Sequence, residues 1–171
     1  MAKDILVIDG YNIIYGWEEL KELAEKDSLE NARLKLLEEM SNLQGYCHNE
    51  IIVVFDAHKV KKGVRKKYKH TNIQVIYTKD TETADHYIER LVAQKAKDAK
   101  IRVATSDGLE QIIILGHGAT RVSAQELAEE VKLVKEQNKK KYLEKPKVNN
   151  NRLEGHLNEK VLRWMEKKRR E

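Results

Sequence analysis

The sequence predicts an α/β fold built on a mostly parallel sheet of about five strands. Short β-branched runs alternate along the chain with amphipathic segments of helical periodicity, as in strands joined by crossover helices. Three of the apolar runs lead to an aspartate. Asp9 and Asp56 follow their runs directly, and Asp107 follows its run after two intervening residues. Because the carboxyl ends of parallel strands share one edge, we expect the three carboxylates to converge in a crevice there.

Five strands are predicted from the β-branched runs and the turn residues that bound them. Their bounds are 4–8, 51–55, 73–77, 101–104 and 120–122. The basic block that follows the second strand, residues 58–70, is predicted as a short helix or a flexible arm.

Four helices are predicted from apolar residues at helical spacing. Ser28 is the expected N-cap of the first helix, and Ser123 with Glu126 forms a capping box for the last one. Gly116 and Gly118 end the third helix, which Asp107 opens. The bounds are 29–46, 83–97, 107–115 and 124–141.

A break in the chain precedes a C-terminal basic helix. Pro146 and the asparagine run at 149–151 mark the break. We therefore divide the chain into a domain at 1–144 and a basic linker and helix at 145–171. The helix could dock on its own domain, on a second copy or on another molecule. Its apolar face is predicted to consist of Leu153, Leu157, Val161, Trp164 and Met165.

The bulk composition bounds the class of protein. A chain of 171 residues fits one domain with a sizeable core. No apolar stretch reaches about 18 residues and no signal segment precedes the first strand, so we expect no membrane partner. A single cysteine, Cys47, excludes a disulfide framework and is expected to be a small buried residue. These features predict a cytoplasmic protein.

The positive charge is concentrated in two segments. Residues 139–171 hold 12 Lys/Arg and 5 Asp/Glu, a net charge of +7, whereas the remaining 138 residues hold 21 and 23, a net charge of −2. Residues 58–70 add seven Lys/Arg with no acid. Either block alone is compatible with a solvated surface. Beside an acidic cluster, however, they favour a polyanionic partner such as nucleic acid.

The strand-end aspartates each have a structural and a functional interpretation. In the Asp-Gly-Tyr-Asn motif at 9–12, glycine permits a tight turn, and Asn12 can cap a helix or orient a water. Asp56 taken alone is a turn residue. Asp107 with Glu110 resembles a helix-capping pair, although a capping acid at this edge still points into the crevice.

A further acidic group follows the third strand. Helical spacing places Glu82, Asp85 and Glu89 on one stripe, with no basic residue interleaved. The position near a helix N-terminus accounts for the first two through the helix dipole. It does not account for their place on the same edge as the other acids.

Asp9, Asp56, Asp85 and Asp107 together predict an oxygen-ligand pocket for one or two Mg²⁺ or Mn²⁺ ions. Such ions activate water and stabilise the leaving oxygen in phosphodiester hydrolysis. Basic side chains of the 58–70 block would neutralise the flanking phosphates, and aromatic residues after the first strand could stack on unpaired bases. The candidate RNA-binding residues are Lys59, Lys61, Lys62, Arg65, Lys66 and Lys67, with Tyr15 and, as further stacking candidates, Tyr11 and Trp17.

Other enzyme classes lack their motifs in this sequence. It contains no Ser-His-Asp order, no dinucleotide-binding G-x-G-x-x-G and no P-loop. His58 and His86 lie near the predicted pocket, but their spacing does not resemble a zinc site. A phosphoacceptor receiver domain with Asp56 as acceptor is disfavoured, because Gly10 and Ser123 stand where it needs an acid and a lysine.

Four dispersed motifs resemble those of the NYN domain, a branch of the PIN-like nucleases, and most closely its YacP-like proteins. They are Ile-Asp-Gly-Tyr-Asn at 8–12, Val-Val-Phe-Asp-Ala at 53–57, Thr-Glu-Thr-Ala-Asp-x-x-Ile-Glu at 81–89 and Ala-Thr-Ser-Asp at 104–107. The resemblance covers roughly residues 3–140 in the family's order and spacing, and the basic C-terminal segment is also similar.

The resemblance implies a three-layer α/β/α PIN-like fold and metal-dependent cleavage of single-stranded RNA. It implies an active centre of Asp9, Asn12, Asp56, Asp85 and Asp107. Among these, Asp9 and Asp85 are the most direct metal ligands, whereas Asn12 and Asp107 support them or position water. YacP-like proteins are linked to messenger RNA decay on the ribosome, so the ribosome is a further expected partner.

A second class of function stays open at this point. A non-catalytic RNA- or ribosome-binding module could retain the acids for structural reasons, and both basic blocks are equally compatible with it.

Overall fold

A computed structural model describes residues 3–59 and 67–144 of the chain. Within these residues the chain forms six strands, six α-helices and one turn of 3₁₀ helix at Ala57–Lys59. The strands and helices are, in chain order, β1 (Lys3–Asp9), α1 (Gly10–Gly16), α2 (Glu18–Lys26), α3 (Leu29–Cys47), β2 (Glu50–Phe55), β3 (Lys67–His70), β4 (Ile73–Tyr77), α4 (Ala84–Lys95), β5 (Ala99–Ala104), α5 (Gly108–Gly116), β6 (Thr120–Val122) and α6 (Ala124–Glu144).

The strands form one sheet in the order β3-β4-β2-β1-β5-β6, with β1 in the interior. All neighbouring pairs are parallel except β3 with β4, which is antiparallel. On β1, Asp9 lies opposite Val54 of β2, and Ile8 lies opposite Ala104 of β5. The carboxyl ends of β2, β1 and β5 therefore meet at one edge, directly beside Asp9.

Helices cover both faces of the sheet, which confirms the predicted α/β/α layering. Alternate residues of β1 belong to different clusters: Leu6 and Ile8 pack with α1, α2, α3 and α6, whereas Ile5 and Val7 pack with α4 and α5. The part of a strand that is buried on both faces has to be apolar, as 5–8 in β1 and 51–55 in β2 are. The first polar residue after each strand then lies at the rim of the core.

The local signals in the sequence placed most elements well. The third and fifth predicted strands coincide with β4 and β6, and the helices start at or within a residue of the predicted positions. The Ser28 hydroxyl accepts the Asn31 N–H at 3.1 Å. In the last helix the backbone N–H of Ser123 donates to Glu126 Oε2 at 2.7 Å and that of Glu126 donates to Ser123 Oγ at 3.2 Å, which confirms the capping box.

Part of the basic block was predicted wrongly. Residues Lys67–His70 form an antiparallel edge strand, β3, rather than a helix or an arm. Tyr68 packs against the core and its ring stacks on Tyr77 at 6.2 Å between centroids, while Lys67 and Lys69 are exposed. A four-residue edge strand with a single packed side chain has too little periodicity to be recognised.

Two short helices between β1 and α3 were also missed. Helix α1 begins and ends with glycine, and such a segment has low intrinsic helix propensity. It forms because Asp9 caps it and because Ile13 and Ile14 are fully buried. Tertiary packing therefore decides the structure here, and it also sets the backbone that follows Asp9.

The chain divides into two compact units, residues 1–135 and 136–171, and the first contains the whole sheet. The predicted C-terminal basic helix at 145–171 lies outside the described residues, so that helix and the predicted boundary at 144 stay predictions. Among the helices of the described ranges, none is both long enough and apolar enough to cross a membrane.

Replacing Gly10 with alanine is expected to destabilise the fold by about 1–3 kcal/mol, because the added methyl group would overlap the buried ring of Phe55. Gly108→Ala is the matched control, since no heavy atom lies within 4 Å of the position that its Cβ would take. It should stabilise by up to about 1 kcal/mol through helix propensity. Urea unfolding measures both values, and equal stabilities of the two variants would contradict the packing of α1 against β2.

Candidate active site

A cavity of about 460 Å³ opens at the carboxyl edge of the sheet, where the sequence predicted a crevice. Its walls come from the ends of β1, β2 and β5 and from the first turns of α1 and α4. All five predicted active-centre residues line it, together with Tyr15: Asp9, Asn12, Asp56, Asp85 and Asp107.

Asp9 is the buried acid at the centre of this edge, with only 5% of its surface exposed. It is the last residue of β1 and the N-cap of α1, where Oδ1 lies 3.5 Å from the backbone nitrogen of Asn12. The pKa of Asp9 is raised to about 9, mainly by burial and then by the nearby charges of Glu110 and Asp85. The capping contact opposes this effect but does not balance it.

Asp85 enters the cavity from the first turn of α4, which Thr83 caps by accepting the His86 N–H at 3.3 Å. The acidic stripe predicted around it does not act as a unit. Glu82 forms a salt bridge with Arg90, and Glu89 Oε1 lies 3.6 Å from His117 Nε2. Both partners lie outside the stripe, so no basic residue is interleaved on it, but two of its three acids are paired with residues beyond it. Asp85 is the one member of the stripe that lines the cavity.

Glu110 is an acid of the site that the sequence did not identify. The sequence assigned it to a capping pair with Asp107, but only 5% of its surface is exposed, and Thr105 Oγ1 donates to its Oε2 at 2.5 Å. The pKa of Glu110 is raised to about 7, mainly by burial and also by the charge of Asp85, while the Thr105 hydrogen bond acts in the opposite direction. Its spacing three residues after a strand-end aspartate was the available signal, and it also fits a helix cap.

The carboxylates of Asp9, Asp85 and Glu110 form a compact triad. One oxygen from each lies within 4.8 Å of the other two. Two of the three side chains are buried, and Glu110 Oε1 has no hydrogen-bond partner among the described residues. Either protons or a cation must relieve this repulsion, and three hard oxygen donors suit Mg²⁺ or Mn²⁺. The donor set therefore fits a divalent metal ion.

Asp56 and Asp107 lie on the cavity wall outside the compact triad. One carboxylate oxygen of each caps a local turn: Asp56 Oδ1 accepts the His58 N–H at 3.0 Å, and Asp107 Oδ1 accepts the Leu109 N–H at 2.9 Å. Each of these two aspartates therefore both stabilises a turn and lines the cavity. Their role as metal ligands stays a prediction.

Asn12 connects two walls of the cavity. Its Oδ1 accepts the backbone N–H of Ser106 at 2.5 Å, which links the first turn of α1 to the segment after β5. The neighbouring Thr105 hydroxyl also accepts the Asp107 N–H at 3.1 Å while it donates to Glu110. These contacts hold the acids of β1 and α5 in a common frame.

The chain resembles one protein family over nearly its whole length. The chain matches the family model of the YacP-like NYN domain over residues 6–170. The chain belongs to the YacP-like NYN domain family. NYN domains are nucleases that generally depend on a divalent metal, and the acidic triad is consistent with that chemistry.

Similar proteins come from Bacillus subtilis. The chain is 44% identical over 170 residues to the protein of strain 168 named "Uncharacterized protein YacP", covering 98% of this chain and 97% of the relative. The crystal structure of Rae1 (YacP) from B. subtilis matches with a TM-score of 0.71 at 44% identity, covering 98% of this chain and 95% of that one. Its W164L mutant matches with a TM-score of 0.69 at 42% identity, covering 80% of each chain.

The aromatic residues predicted to stack on bases differ in exposure in this NYN domain. Tyr11 and Trp17 are buried, so the suggestion that they stack on RNA was wrong; their rings complete the core. Tyr15 lines the cavity and is 47% exposed.

Of the basic candidates, Lys67 is exposed at the start of β3 and Lys59 closes the 3₁₀ turn. Lys61, Lys62, Arg65 and Lys66 lie outside the described residues.

The metal-free protein is expected to lose stability as pH rises from about 4 towards 9, because the contribution of Glu110 is lost by about pH 7 and that of Asp9 by about pH 9. Folded Asp9 and Glu110 keep their protons at pH values where unfolded carboxyl groups, with pKa values of 3.8 and 4.5, have lost theirs. The folded state therefore gains stability at low pH and loses it as pH passes through the raised pKa values. Thermal unfolding in a chelating buffer at several pH values measures this slope.

Glu110→Gln should flatten that slope, because it removes one of the two raised carboxyls. Added Mn²⁺ at pH 8 should raise the unfolding midpoint of the parent protein by more than about 2–4 °C, which corresponds to about 1 kcal/mol for a chain of this size. A metal-free midpoint that rises with pH would contradict the buried triad.

Proposed function

We propose that this chain is a metal-dependent endoribonuclease that hydrolyses phosphodiester bonds of single-stranded RNA, and that its substrate is messenger RNA associated with the ribosome. The observation that carries the proposal is the triad of Asp9, Asp85 and Glu110 in an NYN domain, two members of which, Asp9 and Asp85, line an open cavity.

Asp9, Asp85 and Glu110 would hold the metal ion, with Asp56 and Asp107 as further carboxylates on the wall. When bound, a divalent cation supplies charge stabilisation at the phosphate and an activated water. Asn12 and Thr105 are positioning residues, because they hold the Ser106 backbone and the Glu110 carboxylate. The Glu110 pKa of about 7 also allows this side chain to release its proton to solvent when a cation binds near neutral pH.

RNA recognition would use groups at the rim of the cavity. The exposed ring of Tyr15 offers a stacking surface for one unpaired base, and stacking of this kind tolerates any sequence. Lys59 and Lys67, with the four other basic residues between them, would neutralise phosphates on either side of the cut. Base pairing would keep a base from reaching Tyr15, which favours single-stranded substrates.

The ribosomal context rests on the family resemblance and on charge. The C-terminal segment 139–171 carries a net charge of +7, which would favour a large polyanion such as ribosomal RNA. Purified protein should therefore cleave messenger RNA faster with translating ribosomes than without them. Efficient cleavage of free RNA at many sites would contradict this part of the proposal and leave the nuclease assignment intact.

Asp85→Asn is expected to lower the cleavage rate by at least about 100-fold, because it removes charge that stabilises the metal ion and hence the transition state. RNA binding should survive. Asp98→Asn is the matched control, an exposed aspartate in the turn after α4 that does not line the cavity. Cleavage is measured with a labelled single-stranded RNA in Mn²⁺ or Mg²⁺.

The same variants separate the nuclease from a non-catalytic RNA-binding module. A nuclease should bind Mn²⁺ in the parent protein and lose that binding in Asp9→Asn. If the parent protein binds RNA but neither binds Mn²⁺ nor cleaves RNA, the chain is a binding module. Unchanged cleavage by a folded Asp85→Asn variant would remove this residue from the active centre.

A further inference from the structure

Arg33 is a half-buried cation next to the cavity wall. It lies in the second turn of α3, and its Nη1 donates to the Tyr11 hydroxyl at 3.0 Å. Tyr11 is itself one of the residues that line the cavity. A single hydrogen bond therefore joins this guanidinium to the wall of the acidic site.

The charge of Arg33 has no carboxylate partner within the described ranges. Two other arginines show the usual arrangement: Arg90 pairs with Glu82, and Arg102 forms a two-point pair with Glu130 at 3.2 and 2.5 Å. The salt bridges among the described residues all use cations other than Arg33. A partly desolvated guanidinium with one neutral partner keeps most of its five donors for an anion.

Aromatic rings lie next to Arg33, and Glu30, one turn earlier on α3, is the nearby acid that acts on its charge without forming a salt bridge. The rings of Tyr11, Phe55, Tyr77 and Tyr68 form a row across α1, β2, β4 and β3, with successive centroids 5.1, 5.4 and 6.2 Å apart. Burial raises the pKa values of Tyr11 and Tyr77, so both keep their protons. Hydroxyl groups that stay protonated do not neutralise Arg33, and they complement an anion.

The row leads from the cavity towards a basic edge of the sheet. Its outer member, Tyr68, lies on β3 between Lys67 and Lys69, whose side chains are exposed. The rings of Tyr11, Phe55 and Tyr77 are buried, and the side chains of Lys67 and Lys69 alternate with that of Tyr68, so they face the other side of the sheet. Arg33 is therefore the cation that a hydrogen bond joins to the cavity wall on the face that carries the aromatic row. A cation next to an acidic centre suits a polyanion strand whose reacting phosphate lies at that centre.

We propose that Arg33 binds a backbone phosphate of the RNA strand next to the one held at the triad, with the Tyr11 hydroxyl orienting its guanidinium. The bidentate geometry of a guanidinium matches two phosphate oxygens. This inference rests on the proposed nuclease function and adds a binding residue to it.

The test measures RNA affinity in an Asp85→Asn background, so that cleavage does not consume the labelled single-stranded RNA. Arg33→Met, which keeps the length of the stem, should raise the Kd by about 10-fold, since a hydrogen-bonded charge is lost. The slope of log Kd against log salt should fall by about 0.7, the value for one phosphate contact on a single strand. Arg121→Met, an exposed arginine on β6 at the opposite edge of the sheet, is the control and should change neither value.

Arg33→Lys keeps the positive charge but removes the planar guanidinium, which can contact two phosphate oxygens at once. It should retain the salt slope and raise the Kd by about 3-fold, because a point charge replaces a two-point contact. If Arg33→Met does not fold, as judged by thermal unfolding, this variant carries the test: an unchanged Kd in Arg33→Lys would then overturn the proposal.

The two hypotheses fail in different ways. If the parent protein cleaves RNA while Arg33→Met folds and keeps the Kd and the salt slope, Arg33 only ties α3 to α1 and the inference is wrong, although the nuclease function stands. If the parent protein neither binds nor cleaves RNA, the proposed function fails and the inference fails with it. A lower salt slope with normal cleavage at saturating RNA supports both.

Discussion

The mutual repulsion of three carboxylates is the constraint on which the rest of the structure depends. Asp9 and Glu110 are buried beside Asp85, and the raised pKa values of the two buried acids show how strongly the metal-free cluster resists ionisation. Such a cluster persists only where the surrounding fold holds it. The interior position of β1, with parallel neighbours on both sides, provides that support, because Asp9 cannot move without disturbing two strand pairings.

Polar residues around the triad hold its surroundings in place through separate hydrogen bonds. Thr105 orients Glu110 by one hydrogen bond and binds the Asp107 backbone by another, while Asn12 joins the first turn of α1 to Ser106. None of these three contacts needs a charge. They can therefore keep the carboxylates in place whether protons or a cation compensate them. Helix α1 forms despite its two glycines because it is capped and packed against the core, and this packing in turn fixes the position of Asn12.

Charge is separated over short distances along this edge. The acids lie at the ends of β1 and β5 and at the start of α4, whereas Arg33 lies on α3, where it donates to Tyr11 of the cavity wall, and Lys67 and Lys69 lie on the edge strand β3. A row of neutral aromatic rings lies between the two groups. Direct salt bridges between the acids and these cations would neutralise both. Because the two sets of charges are kept apart, the acids stay available for a metal ion and the cations for phosphate groups.

The sequence by itself determined the layered fold, most element bounds and five of the residues that line the cavity. The fold, the bounds and the strand-end aspartates depend on local signals, namely apolar runs, caps and polar residues at strand ends, whereas Asn12 and Asp85 were singled out by the resemblance of their motifs to the NYN domain. The roles of particular acids depended on packing. Glu110 matched a cap by spacing but belongs to the triad, Glu82 matched a site stripe but pairs with Arg90, and Tyr11 is buried beneath Arg33. Contacts between residues far apart in the chain carry no local signature, so only the tertiary structure could decide them.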